Sequence, residues 1–297
     1  MKIVITGGSG FVGSKLCELL IKEGHSVTII GHSPPRKEMD RVSFVKANLM
    51  EGEVPSIFGE CDAIVHLAGA PIFHRWTESY KRLILDSRVK TAKAIYQFLS
   101  QSKQRPKVFV SASASGFYGD RGDTLLDESA AEGRDFLASV CTEWEKAAEN
   151  FSSLGMRAVE VRTATVLGPG GGALAKMIPL FRLGLGGKLG TGKQWFPWIH
   201  LEDLSQIYVQ AITNPRLSGP INAVAPETLR NRDFTQALGH ALKRPAILPA
   251  PAFALRLVFG ELAEALLTSQ KVIPKKLEQL GFHFSYPTMK KALSQIF

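Results

Sequence analysis

The chain has 297 residues, 45% of them hydrophobic, with 36 Lys and Arg against 27 Asp and Glu for a formal charge of +9. Its three cysteines, Cys17, Cys61 and Cys141, form no C-x-x-C pair and leave one over, which argues against a structural metal and for a reducing, cytoplasmic setting. The positive charge is spread, with local pairs only at Arg36-Lys37, Lys275-Lys276 and Lys290-Lys291, so nucleic acid is the weaker reading beside solubility or steering of a phosphorylated ligand.

The first apolar stretch, Lys2-Ile3-Val4-Ile5, runs straight into Thr6 and the spacing Gly7, Gly10, Gly13, too short for a signal peptide and well placed for a strand, a tight turn and a helix over 11–23. That spacing fits a dinucleotide pyrophosphate. The first glycine allows the turn, the second lets backbone approach the phosphates, and the third lets helix pack on strand. Amides at the helix start, beside Phe11 and Val12, supply donors and the positive dipole end.

Further strands are expected at 27–30, 42–45, 63–67, 108–111 and 158–161, with helices at 78–101 and 136–153 between them, the alternation of a doubly wound α/β sheet. After Arg162 the alternation fails. Glycine-dense turns at 168–172 and 183–190 flank a short helix over 173–181, and the chain returns to the sheet within 199–222. From Pro226 the pattern is helical with proline punctuation. The apolar region 246–267 is interrupted by Pro249, Pro251, Arg256, Glu261 and Glu264, so it reads as packed helix and not as a membrane span. The expected organisation is a Rossmann-type dinucleotide domain of 1–168 with 199–225, and a smaller, mostly helical substrate lobe of 169–198 and 226–297.

At the end of the second strand, where an NAD-selecting site carries Asp or Glu, the chain reads Gly31-His32-Ser33. No carboxylate stands there to repel a 2′-phosphate, and His32, Ser33, Arg36 and Lys37 can donate to one, so NADP(H) is the expected cofactor. Leu67-Ala68-Gly69 closes the fourth strand with small groups against which the cofactor can lie.

Four strings carry a resemblance: Thr6-Gly7-Gly8-Ser9-Gly10-Phe11-Val12-Gly13, His66-Leu67-Ala68-Gly69, the run Ser111 to Gly119, and Trp198-Ile199-His200-Leu201-Glu202-Asp203-Leu204. The chain resembles the extended short-chain dehydrogenase/reductases, the sugar-nucleotide epimerase and dehydratase superfamily. Within it, Gly192-Lys193-Gln194-Trp195-Phe196-Pro197-Trp198, Arg244-Pro245-Ala246 and Pro274-Lys275-Lys276-Leu277 resemble an atypical YfcH-like epimerase-family branch. The resemblance implies an NADP-dependent oxidoreductase or epimerase-like enzyme acting on a small carbonyl or sugar-like molecule, phosphorylated or not.

The resemblance also implies residue roles. Ser113 takes the place of the hydroxyl that bonds a substrate oxygen, with Ser111 and Ser115 competing for that register. Arg88 stands where the superfamily places an Asn, and its planar fork can hold cofactor ribose or phosphate; Leu83 and Arg162 complete the expected cofactor contacts. The catalytic Tyr and Lys are missing. Registering Glu145 on the superfamily's Lys-x-x-x-Glu puts Cys141 at the Lys and Leu137 at the Tyr, so Cys141 is either a small buried residue or a substituted thiol. Tyr118 is a candidate for the absent phenol. Trp195, Phe196 and Trp198, beside Arg182, Lys188 and Lys193, form either an aromatic substrate wall or the core of the small lobe, and His200 is expected to cap the next helix. A lapsed enzyme serving as an NADP-binding redox sensor is the alternative.

Overall fold

The computed structural model describes residues 1–35 and 39–297, so the expected phosphate donors Arg36 and Lys37 lie outside the described residues. In chain order the elements are β1 (Lys2–Thr6), α1 (Phe11–Lys22), β2 (Ser26–Gly31), β3 (Val42–Lys46), α2 (Ile57–Glu60), β4 (Ala63–His66), α3 (Glu78–Gln101), β5 (Val108–Ala114), β6 (Leu125–Leu126), α4 (Phe136–Glu149), β7 (Arg157–Thr163) and β8 (Thr165–Leu167). There follow α5 (Gly172–Arg182), β9 (Trp195–Phe196), β10 (Trp198–His200), α6 (Leu201–Thr213), β11 (Gly219–Ala223), β12 (Leu229–Arg230), α7 (Asn231–Ala241), α8 (Ala252–Phe259), α9 (Leu262–Leu267), β13 (Lys271–Val272), α10 (Lys275–Gln279) and α11 (Met289–Ile296).

Seven strands form one sheet in the order β11-β7-β5-β4-β1-β2-β3, parallel throughout, with the reversal of strand order between β1 and β4. Strands such as Ala63–His66 are buried on both faces, as a sheet covered by helices on each side requires. One face packs Ile3, Ile5, Leu16 and Leu20 with Leu204 and Tyr208 of α6; the other packs Phe109 against Ile95, Leu99 and Phe151, whose ring stacks on Phe109 at 3.7 Å. The doubly wound fold read from the alternation is therefore the fold observed. Trp198, Phe234, Leu238, Phe181 and Leu293 form a separate core among the later helices. The long helix α3 is stopped at its start by Thr77, whose hydroxyl accepts from Tyr80 N, and α4 by Asp135, which accepts from Ala138 N.

The glycine loop is shaped by contact. Gly7 lies at φ +71°, and a Cβ there would stand 2.9 Å from Ala68 N; a Cβ at Gly13 would stand 2.5 Å from the carbonyl oxygen of Gly7. The first glycine thus makes the turn and the third lets α1 close on it. Substituting Gly13→Ala forces backbone to move and should lower unfolding stability by about 1–3 kcal/mol, the range for overpacking a filled site. Urea denaturation measures it, and an unchanged midpoint would refute the close approach.

Candidate cofactor and active site

Beneath the loop lies a buried polar relay. Thr6 Oγ1 accepts from Ala68 N at 3.2 Å and meets His66 Nδ1 at 2.7 Å, while His66 Nε2 meets Thr91 Oγ1 at 3.0 Å. The Thr91 hydroxyl is spent on the Ser87 carbonyl at 2.8 Å, so Nε2 carries the imidazole proton and Nδ1 accepts from Thr6. Burial pushes the His66 pKa down to about 4, and the ring is neutral under the cofactor floor.

Beside this relay, at the carboxyl ends of β2 and β3, a cleft of about 270 Å³ is lined by Gly31, His32, Asn48, Gly69 and Leu83 among others. Its lining among the described residues holds no carboxylate, and a Cβ at Gly31 would meet nothing within 4 Å. Ser33 is exposed at its edge. Leu67 and Ala68 are half-buried on the far side, and Val12 packs on the core. The Phe11 ring lies so close to the start of α5 that a Cβ at Gly171 would fall 2.3 Å from it and one at Gly172 2.7 Å. No helix is long and apolar enough to cross a membrane among the described residues.

Arg88 is 9% exposed, with Nη1 donating to the Ile84 carbonyl at 2.8 Å and Nη2 to the Ala70 carbonyl at 3.0 Å. Its guanidinium lies 4.9 Å above the Trp144 ring and directly under Gly69, where a Cβ would stand 2.9 Å from Cζ. In the structure this fork holds the Gly69–Ala70 backbone in place. Burial lowers its pKa.

The expected catalytic residues belong to a second network. Register pairs Ser113 on β5 with Arg162 on β7, and Glu145 of α4 reaches both. Ser113 Oγ donates to Glu145 Oε1 at 2.6 Å, and Arg162 grips the carboxylate in two places, Nε to Oε1 at 2.9 Å and Nη2 to Oε2 at 2.8 Å. The Ser111 hydroxyl donates instead to the Ala112 carbonyl at 2.9 Å. Arg162 lies 3.5 Å above the Phe117 ring and donates from Nη1 to the Tyr118 hydroxyl at 3.0 Å, placing it inside the protein and away from the cleft. Tyr118 donates in turn to Asn222 Oδ1 at 2.6 Å, and burial pushes its pKa up to about 12. Asn222 N donates to Glu128 Oε1 at 3.1 Å, and Glu128 Oε2 is buried with no hydrogen-bond partner among the described residues.

Cys141 is 4% exposed, and its Sγ would stand 3.8 Å from a Cβ at Gly116; burial, reinforced by Glu145, pushes its pKa up to about 12. It is a thiol at neutral pH, not a thiolate. Leu137, one turn earlier, lies against Gly116 on the same face of α4. In the later part of the chain Trp198 is fully buried and Phe196 stacks on Phe234 at 4.3 Å, so both pack in the core formed among the later helices. Trp195 instead carries Arg230 at 4.3 Å and Lys271 at 4.6 Å from its ring. His200 caps α6, its Nδ1 accepting from Glu202 N at 3.2 Å.

Sequence reasoning passes over Thr6, Thr91, Asn222 and Glu160. Glu160 had a visible signal, an acid inside the apolar strand Ala158-Val159-Glu160-Val161. It is 4% exposed on β7, and burial, with Glu145 and Glu149 nearby, raises its pKa to about 7 although Arg162 opposes the shift.

Residues 3–224 match the NAD dependent epimerase/dehydratase family, and residues 250–296 match a domain of unknown function, DUF1731. The chloroplastic epimerase family protein SDR39U1 homolog of Arabidopsis thaliana is 39% identical over 303 residues, covering 100% of this chain and 86% of the relative. Epimerase family protein YfhF of Bacillus subtilis is 36% identical over 298 residues, covering 100% and 98%. The crystal structure of human epimerase family protein SDR39U1 (isoform 2) with NADPH superposes with a TM-score of 0.88 at 36% identity, covering 100% of this chain and 99% of that one.

The two shifted groups pull stability in opposite directions. A raised carboxyl binds its proton more tightly in the native state, so the stability Glu160 contributes is full below about pH 4.5 and lost as pH rises through 7. His66 does the reverse, its contribution present above about pH 6.5 and lost as pH falls toward 4. Replacing Glu160→Gln leaves His66 alone, so the stability of the variant relative to the parent should grow between pH 4.5 and pH 8 by up to about 3 kcal/mol, the linkage value of 2.5 pKa units. Denaturant unfolding across that range reads it; a pH-independent difference would mean that Glu160 titrates normally.

Proposed function

The chain belongs to the NAD dependent epimerase/dehydratase family, and from that premise we propose that it binds NADP(H) on the Gly7–Gly13 loop. There it serves as an oxidoreductase or epimerase-like enzyme for a small carbonyl or sugar-like molecule. The observation that carries the cofactor choice is the carboxylate-free cleft at Gly31 and His32. The human relative crystallised with NADPH supports it. The α1 amides, left without a side-chain cap at Gly10, suit a diphosphate. Arg88 fixes the Gly69–Ala70 backbone that borders the cleft, and its charge, buried without a carboxylate in contact among the described residues, favours an anion nearby. Bound there, the nicotinamide would supply or accept hydride.

The chain's own part is to hold the substrate oxygen, and Ser113 is the hydroxyl placed for it. Glu145 and Arg162 lock the orientation of that serine, which must exchange its bond to Glu145 before it donates to substrate. Residues 169–198 and 226–297 serve as the substrate lobe. A second reading, an NADP-binding module without turnover, is favoured by Leu137 and Cys141 at the Tyr and Lys positions and by the commitment of Tyr118 to Asn222.

Fluorescence titration should give tighter binding of NADPH than NADH, and His32→Asp should reverse the order, because a carboxylate repels the 2′-phosphate and accepts from a free 2′-OH. Equal affinities would remove the cofactor assignment. If the chain turns over, Ser113→Ala should lower the rate by about 100-fold to 1000-fold with NADPH affinity nearly intact, as for loss of one donor to a developing oxyanion. Tight NADPH binding with no oxidation across a panel of carbonyls and sugar nucleotides would leave the binding module standing.

A further inference from the structure

Of the 13 large hydrophobic side chains exposed among the described residues, 8 fall in two stretches, 180–185 and 247–258. The backbone holds these stretches together. Arg244 Nε donates to the Arg182 carbonyl at 3.2 Å, and a Cβ at Gly187 would fall on the Leu248 carbonyl oxygen. Ala250 N donates to the Lys188 carbonyl at 2.9 Å and Gly190 N to the Ala250 carbonyl at 2.8 Å, a parallel bridge centred on Leu189 and Ala250. The exposed Leu183 and Leu185 therefore belong to one apolar strip with Ile247 and Leu248.

The helix α8 continues the strip. Only Leu255 of its eight residues is buried, whereas Phe253 is 73% exposed, Leu257 86% and Val258 69%. Phe253 and Leu257 stand four apart and share one side of the helix. Residues of this kind normally face a core, and here they project outward.

The charge around the strip has one sign. Residues 161–201 and 234–260 contain no Asp or Glu. Arg182, Lys188, Lys243 and Arg244 are exposed and ion-paired to no carboxylate among the described residues. The next carboxylates along the chain, Glu261 and Glu264, are paired with Lys81 at 2.5 Å and Arg256 at 2.7 Å. A second copy related by a two-fold axis would bring the same cations face to face with no acid on the strip to meet them, so self-association is disfavoured.

We propose that this face docks on an anionic phospholipid surface. Phe253, Leu257 and Val258 enter the boundary between headgroups and acyl chains, and the four cations meet lipid phosphates. A fluid interface admits projecting side chains without a complementary pocket, and basic residues beside an apolar helical face are the combination that binds it. At eight residues α8 is long enough to lie in that boundary and too short to cross it.

Co-sedimentation of the full chain with two kinds of vesicle tests this, one of phosphatidylcholine alone and one of three parts phosphatidylcholine to one part phosphatidylglycerol. Binding to the anionic vesicles is expected, weakening as salt is raised, with little binding to the neutral ones. Replacing Phe253→Asp and Leu257→Asp together should weaken it by at least about tenfold, and Lys188→Gln with Lys243→Gln several-fold, the urea midpoints staying at the parent value because all four positions are exposed. The proposal is overturned if the chain does not sediment with anionic vesicles, if neutral vesicles bind it as well, or if neither folded variant weakens binding. A parent chain that sediments alone as a dimer, and as a monomer once Phe253 and Leu257 are replaced, overturns it in favour of a second copy. The comparison of vesicles uses the unaltered chain and so decides the question even where a variant fails to fold.

Discussion

The buried ion pair between Arg162 and Glu145 is the constraint around which this site is assembled. Arg162 cannot shed its proton, and its side chain is 4% exposed on β7, one strand in from the edge of the parallel sheet. Removing the carboxylate from such a pair leaves an uncompensated interior charge, typically a loss of 3–5 kcal/mol. The chain meets that demand from three sides, with the two-point grip of Glu145, the face of Phe117 and the hydroxyl of Tyr118. Because Glu145 must reach the sheet, α4 is fixed in rotation, and that fixes where Cys141 and Leu137 fall. Tyr118 passes the constraint on to Asn222, whose amide Nδ2 donates to the Ile273 carbonyl at 3.0 Å and so ties the end of the chain to the sheet.

A second economy governs the cofactor side. The floor under the glycine loop is polar yet uncharged, since His66 is held neutral between two threonines. Close to it Arg88, a buried positive charge, sits beneath a glycine. A floor of this kind favours an anion above it without presenting a competing carboxylate.

Much of this is legible in the sequence because it is local. The glycine spacing, the positions of strands β1 to β5 and β7, the cap at His200 and the four-residue spacing of Leu137, Cys141 and Glu145 all follow from neighbours within one or two turns. The edge strand β11 is harder, since it opens with Gly219-Pro220, a signal for a turn; proline is tolerated there because an edge strand has a side that needs no ladder donor. Long-range pairings leave no local trace. Tyr118 finds Asn222 across 104 positions, and whether a tryptophan is wall or core depends on what folds over it: Trp198 is covered completely, whereas Trp195 carries Arg230 and Lys271 on its ring.

The contact of Phe11 with Gly171 and Gly172 joins two ends of the molecule that the chain separates by 160 residues. Phe11 opens α1, whose first amides face the glycine loop, and Gly172 opens α5. One ring is thus the shared bearing of both helices. Because nothing larger than hydrogen fits at Gly171 or Gly172 against that ring, the start of α5 is held at a set distance from the first turn of α1.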